Sequence, residues 1–89
     1  MNRINKTFYK QTKYLIFEGF YLDDRKTPII NVLNKSDEKL GVIKFYPAWR
    51  KFIFESSECI YDSSCLTDLI EVLDEQQEVW KQSLNNNKD

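Results

Sequence analysis

Few side chains in this 89-residue sequence are equipped for chemistry, and their types exclude most of it. Histidine is absent, which removes the commonest general base, the usual triad partner and the commonest metal ligand. The two cysteines, Cys59 and Cys65, cannot complete a tetrahedral zinc site in one chain without histidine. They are too few for a disulfide framework and read as reduced, partly buried thiols, with pairing between them left open. Two glycines cannot build either a phosphate-cradling loop or a dinucleotide fingerprint. Adjacent carboxylates occur at Asp23-Asp24 and Asp74-Glu75, in polar surroundings typical of a protein surface. The expectation is a non-enzymatic chain with no cofactor and no metal.

What remains is recognition chemistry, carried by two groups of residues. The first is basic and aromatic: Lys44, Tyr46, Trp49, Arg50 and Lys51. Cations beside aromatic rings on a sheet can stack single-stranded bases, at roughly 1–3 kcal/mol per base. The second is the acidic row Asp68, Glu71, Glu75 and Glu78. Such a row is either a solvated helix face or a mimic of nucleic-acid phosphates that fits a basic groove on another protein.

The elements that must position these groups follow from the pattern of the chain. Tyr14–Leu22, rich in aromatic and β-branched residues, reads as a strand. A helix over 7–21 fits the same short apolar run. Ile29–Leu33, Leu40–Tyr46 and Trp49–Glu55 read as three further strands, joined by a polar turn at 34–39 and by Pro47-Ala48. Connections this short predict an antiparallel meander.

With Pro47-Ala48 as the loop, Tyr46 pairs with Trp49, Phe45 with Arg50, Lys44 with Lys51 and Ile43 with Phe52. Ile43, Phe45, Phe52 and Phe54 then share a core face. Val42, Lys44, Tyr46, Trp49, Lys51 and Ile53 share the other. Lys44 opposite Lys51 is a like-charge pair, tolerable with an anion between the two.

Leu66, Leu69, Ile70, Leu73, Gln77 and Trp80 recur at helical spacing and predict a C-terminal amphipathic helix. Ser63 or Ser64 is its expected N-cap, and Asp68 lies near its first turn. Residues 1–13 and 83–89 are polar and expected to be loosely ordered, the first stretch otherwise adding an edge strand or a second helix.

The stretch Leu40-Gly41-Val42-Ile43-Lys44-Phe45-Tyr46-Pro47-Ala48-Trp49-Arg50-Lys51-Phe52-Ile53-Phe54 resembles a group of small bacteriophage and prophage proteins. Those read L-G-x-I-K-W-Y-x-x-W-R-x-Y-x-F and continue into a Cys-Leu-Asp-type helix start, where this chain has Cys65-Leu66-Thr67-Asp68. Phe45 stands where the group often has Trp, and Phe52 where it often has Tyr. The resemblance implies a phage or mobile-element origin inside a bacterial cell and supplies no activity to transfer.

The net charge of −1 hides a division. Residues 1–51 carry eleven Lys/Arg against five Asp/Glu (+6), and residues 52–89 carry two against nine (−7). The two ends either attract partners of opposite sign or dock on each other. No apolar run is long enough to span a membrane, and no apolar segment of a secretory signal follows the basic start.

Residues 1–89 are therefore expected to form one cytoplasmic α+β domain, with an antiparallel sheet of three or four strands and the C-terminal helix packed on one face. The expected function is binding of a host protein partner, with inhibition of a bacterial defence system as one form of it. Single-stranded nucleic-acid binding through the basic-aromatic face is the alternative. Self-association through an open sheet edge is compatible with either.

Overall fold

A computed structural model describes residues 5–21, 26–57 and 60–86. The chain is α+β. β1 (Asn5–Gln11), β2 (Leu15–Tyr21), β3 (Ile29–Asn34), β4 (Lys39–Tyr46) and β5 (Lys51–Ser56) precede one helix, α1 (Ser63–Asn86). The strands form a single antiparallel sheet in chain order, β1 to β5, and α1 covers one face. Among the described residues no helix is long and apolar enough to cross a membrane.

The sheet has five strands rather than three or four. β1 lies where the sequence suggested a loosely ordered start, and it forms the edge-strand alternative. Its pairing with β2 also decides the 7–21 stretch in favour of strands. At the other end of the chain, helix continues through 83–86. Leu22, the Asp23-Asp24 pair, Cys59 and any disulfide it would form, and the terminal residues 1–4 and 87–89 lie outside the described residues.

Alternation sorts the sheet into two faces. Leu15 and Phe17 of β2, Ile30 and Val32 of β3, Ile43 of β4 and Phe52 of β5 are buried toward α1. Leu69 and Val72 of α1 close over them, with Phe8, Phe45, Phe54, Leu73 and Trp80 packed around the rim. Among these, Phe45 meets Phe52 edge-on at 5.4 Å and Trp80 at 4.9 Å.

The helix sits rotated from its expected orientation. Leu69, Val72 and Gln76 are buried, whereas Leu66 and Ile70 are 47% and 56% exposed. At about 100° per residue the true stripe lies roughly 75° around the axis from the predicted one. Two interactions hold that rotation. Lys10 Nζ of β1 lies 3.6 Å from Glu71 and 3.4 Å from Glu75, and Gln77 bonds to the backbone of β5 on the other flank.

The N-cap is Asp62, not Ser63 or Ser64. Its Oδ1 accepts the Cys65 N–H at 2.9 Å, and its carbonyl accepts the Leu66 N–H at 3.0 Å. Asp68 falls beyond the first turn, which contains no acidic residue. The Cys65 N–H bond is the main reason that the Asp62 carboxyl is held below its ordinary range. Because the folded pKa is depressed, the cap's contribution is complete above the ordinary aspartate range and lost as pH falls through the lowered value. Asp62→Ala should therefore lower the melting temperature at pH 7 and lose most of that effect in acid well below the ordinary aspartate range. Thermal melts of both proteins at the two pH values test this, and an equal deficit at both would contradict it.

Candidate interaction surface

The β4–β5 hairpin presents most of the basic-aromatic residues, and its turn determines where they point. The loop is four residues long, Pro47 to Arg50, closed by the Tyr46–Lys51 pair. The expected two-residue loop fails at proline. Two-residue hairpin turns require a positive φ at their first central residue, and the proline ring holds φ near −65°. Pro47 instead takes the second position of a turn in which the Trp49 N–H donates to the Tyr46 carbonyl at 3.2 Å. The Arg50 N–H then donates to the Pro47 carbonyl at 3.1 Å, with Arg50 at φ 54°.

The pairing is displaced by two residues from the predicted one. An even displacement leaves every side chain on its predicted face, so Ile43, Phe45, Phe52 and Phe54 still point toward α1. It nevertheless abolishes the expected lysine pair. Lys44 lies opposite Ile53, Phe45 opposite Phe52, and Tyr46 opposite Lys51. Lys44 Nζ instead reaches diagonally to Glu55 Oε1 at 2.9 Å.

The five predicted hairpin residues are therefore divided. Tyr46 and Trp49 meet edge-on at 5.0 Å at the hairpin tip, and Trp49 is 66% exposed. Lys51 stands exposed across from Tyr46. Lys44 has its charge matched by Glu55. Arg50 turns to the helix layer, where its guanidinium lies 5.4 Å from the centroid of the Trp80 ring. It shares a groove of about 510 Å³ there with Lys51, Leu73, Asp74 and Lys81.

The acidic row is divided too. Glu71 and Glu75 both face Lys10, so part of the charge split along the chain is matched internally. Asp68 is half-buried, and Glu78 is exposed with Gln82 donating to it at 3.5 Å. Among the described residues no group of three or more His, Cys, Asp or Glu is placed to hold a metal ion. Burial chiefly, and then the Asp62 carboxylate, push the Cys65 thiol upward, which disfavours the nucleophilic thiolate.

Sequence reasoning missed the role of Gln77. Counted within the apolar stripe, it uses its amide as a clamp on β5. The Phe52 N–H donates to Gln77 Oε1 at 2.9 Å, and Gln77 Nε2 donates to the Arg50 carbonyl at 3.1 Å. The available signal was a lone amide inside an apolar stripe next to an edge strand. Also missed was what β2 and β3 add to the uncovered sheet face, where Ile16, Phe20, Ile29 and Leu33 join Val42 and Ile53, all only half-buried.

No protein family, curated protein or solved structure matches this chain.

Proposed function

We propose that this chain is a non-enzymatic protein-binding module anchored by the Tyr46–Trp49 pair at the tip of the β4–β5 hairpin. The observation that carries the reading is Trp49, two-thirds exposed, with its backbone N–H bonded to the Tyr46 carbonyl in the turn and its ring in edge contact with Tyr46. A large aromatic held in water in one geometry loses little entropy when a partner covers it. Interface hot spots are enriched in Trp and Tyr for related reasons. The fitting partner is a protein with an apolar pocket for Trp49 and an acidic rim for Lys51. The phage-like hairpin motif directs the search to bacterial host proteins, those of defence systems among them.

Single-stranded nucleic acid is the second reading, favoured by the same exposed ring pair. The charges weaken it. Glu55 matches Lys44, and Arg50 points to the helix layer, so Lys51 is left to attract phosphate near the rings.

The two readings separate in one set of experiments. A host protein captured by the wild type should be lost with Trp49→Ala, a truncation expected to cost about 2 kcal/mol or more of binding, and kept with Glu78→Lys. Titration with labelled oligonucleotides at about 50 and 200 mM salt should show no binding. Tight single-strand binding that falls steeply with salt and weakens in Trp49→Ala would replace the protein reading with the nucleic-acid one.

A further inference from the structure

We propose that the outer edge of β5 is a self-recognition site, at which a second copy of this chain adds its own β5 antiparallel about a two-fold axis through Ile53. In this scheme the Gln77 side chain is the plug that competes with it.

β5 ends the sheet, so among the described residues one side of its backbone has no neighbouring strand. The Gln77 bonds identify which groups point outward, since they engage the Phe52 N–H and the Arg50 carbonyl. Alternation then directs the Phe52 carbonyl and both backbone groups of Phe54 to the same edge. An unpaired edge of this kind is a template for another strand, and proteins commonly block it. Gln77 is such a block, placing an amide where the next strand would place a peptide group.

The sequence of the strand selects the occupant. Lys51-Phe52-Ile53-Phe54-Glu55 is charge-complementary to itself when run antiparallel. With the axis at Ile53, Lys51 lies opposite the partner's Glu55, Phe52 opposite the partner's Phe54, and Ile53 opposite its own copy. Phe52 and Phe54 are the residues whose backbone groups point outward, so this register makes them the hydrogen-bonded pairs. Registers displaced by two residues set Lys51 or Glu55 against the partner's Ile53 and forfeit both charge pairs, and those displaced by four set Lys51 against Lys51 or Glu55 against Glu55, which is destabilising. Odd registers turn the core face of one copy toward the open face of the other. The Ile53-centred register alone forms both Lys51–Glu55 pairs.

The helix supports the same geometry. Leu66, Ile70 and Gln77 fall within about 40° of one another around the helix axis at 100° per residue. Gln77 faces the β5 edge, so the exposed Leu66 and Ile70 lie on the same side of α1. A two-fold axis brings that side of each helix toward its copy and covers apolar surface that is otherwise in water.

The favoured register needs the Phe52 N–H that Gln77 holds. The plugged monomer and the paired dimer therefore exclude one another, and the strength of the Gln77 clamp sets the balance. Sedimentation velocity between about 1 and 500 µM reads that balance as mass. Gln77→Ala should dimerise at least roughly tenfold more tightly than the wild type and stop at two copies, since a two-fold interface closes. Adding Lys51→Glu to Gln77→Ala should return it to monomer, and adding Glu55→Lys as well should restore the dimer by exchanging the charges. Circular dichroism of each variant establishes that it is folded. If folded Gln77→Ala is no more associated than wild type, or its dimer is indifferent to Lys51→Glu, or assembly continues past two copies, the proposal is overturned.

Discussion

Phe17→Ala should cost the domain a large share of its stability at ambient temperature. Phe17 is fully buried in β2, with Val32 of β3 and Lys10 of β1 as its cross-strand neighbours. It is the largest of the wholly enclosed side chains. Truncating a buried phenylalanine costs about 3–5 kcal/mol, the sum of lost transfer energy and the cavity left behind. A chain of this length has about 4–13 kcal/mol of total stability at the usual per-residue value. The loss is comparable to the whole at the lower end of that range. Urea unfolding followed by circular dichroism measures it, with Phe17→Leu as the control that keeps most of the volume. A midpoint for Phe17→Ala close to that of the wild type would show that the core does not rest on this ring.

Gly41→Ala is the second large effect, and its direction opposes the usual rule. Alanine in place of a strand glycine normally stabilises, because the unfolded chain loses freedom and the strand gains a side chain. At Gly41 a Cβ would stand 2.5 Å from the Glu55 carbonyl oxygen and 2.7 Å from two carbons of the Phe54 ring. The carbonyl belongs to the paired strand and cannot rotate away, while the ring is held edge-on to Tyr61 at 5.8 Å. Overpacking of this kind costs about 1–3 kcal/mol and separates β4 from β5 locally. Gly19 provides the comparison. Its added Cβ would meet Phe8 Cβ at 2.8 Å and Ile30 Cγ1 at 3.1 Å, both side-chain atoms. Gly41→Ala should lower the urea midpoint more than Gly19→Ala, and the reverse order would refute the argument.

These effects bear on the hairpin because Gly41 and Phe54 lie in the strands that support its tip. If β4 and β5 separate, Tyr46, Trp49 and Lys51 lose their common frame, and the Gln77 clamp loses its edge. Variants that fail to bind through Trp49 can be told apart from variants that fail to fold by the urea midpoint, which Trp49→Ala should move little.

The residues by themselves determined the kinds of element and which side chains share a face. Strands β2, β3 and β4 were legible because Ile, Val, Phe and Tyr crowd into short segments bounded by polar turns. The helix was legible because leucines recur at its period. Sheet faces were legible because alternation is local and survives any even displacement of register.

Everything that depended on distant partners was decided by the tertiary structure. β1 reads as polar chain, and its described core-facing residues are Phe8 and Lys10. It is a strand because β2 presents unpaired backbone groups beside it. The hairpin register turned on a single dihedral angle, since proline cannot start the shorter loop, and that two-residue displacement replaced Lys44–Lys51 repulsion with the Lys44–Glu55 ion pair. The face of α1 that is buried is the one whose Leu69 and Val72 meet the sheet, with Lys10 in contact on one flank and Gln77 on the other, contacts 65 and 25 residues apart in sequence. Side-chain period is set by adjacent residues, but pairing register and helix rotation are set by which distant groups can be satisfied together. That is why the faces could be read from the chain while the occupants of the candidate sites could not.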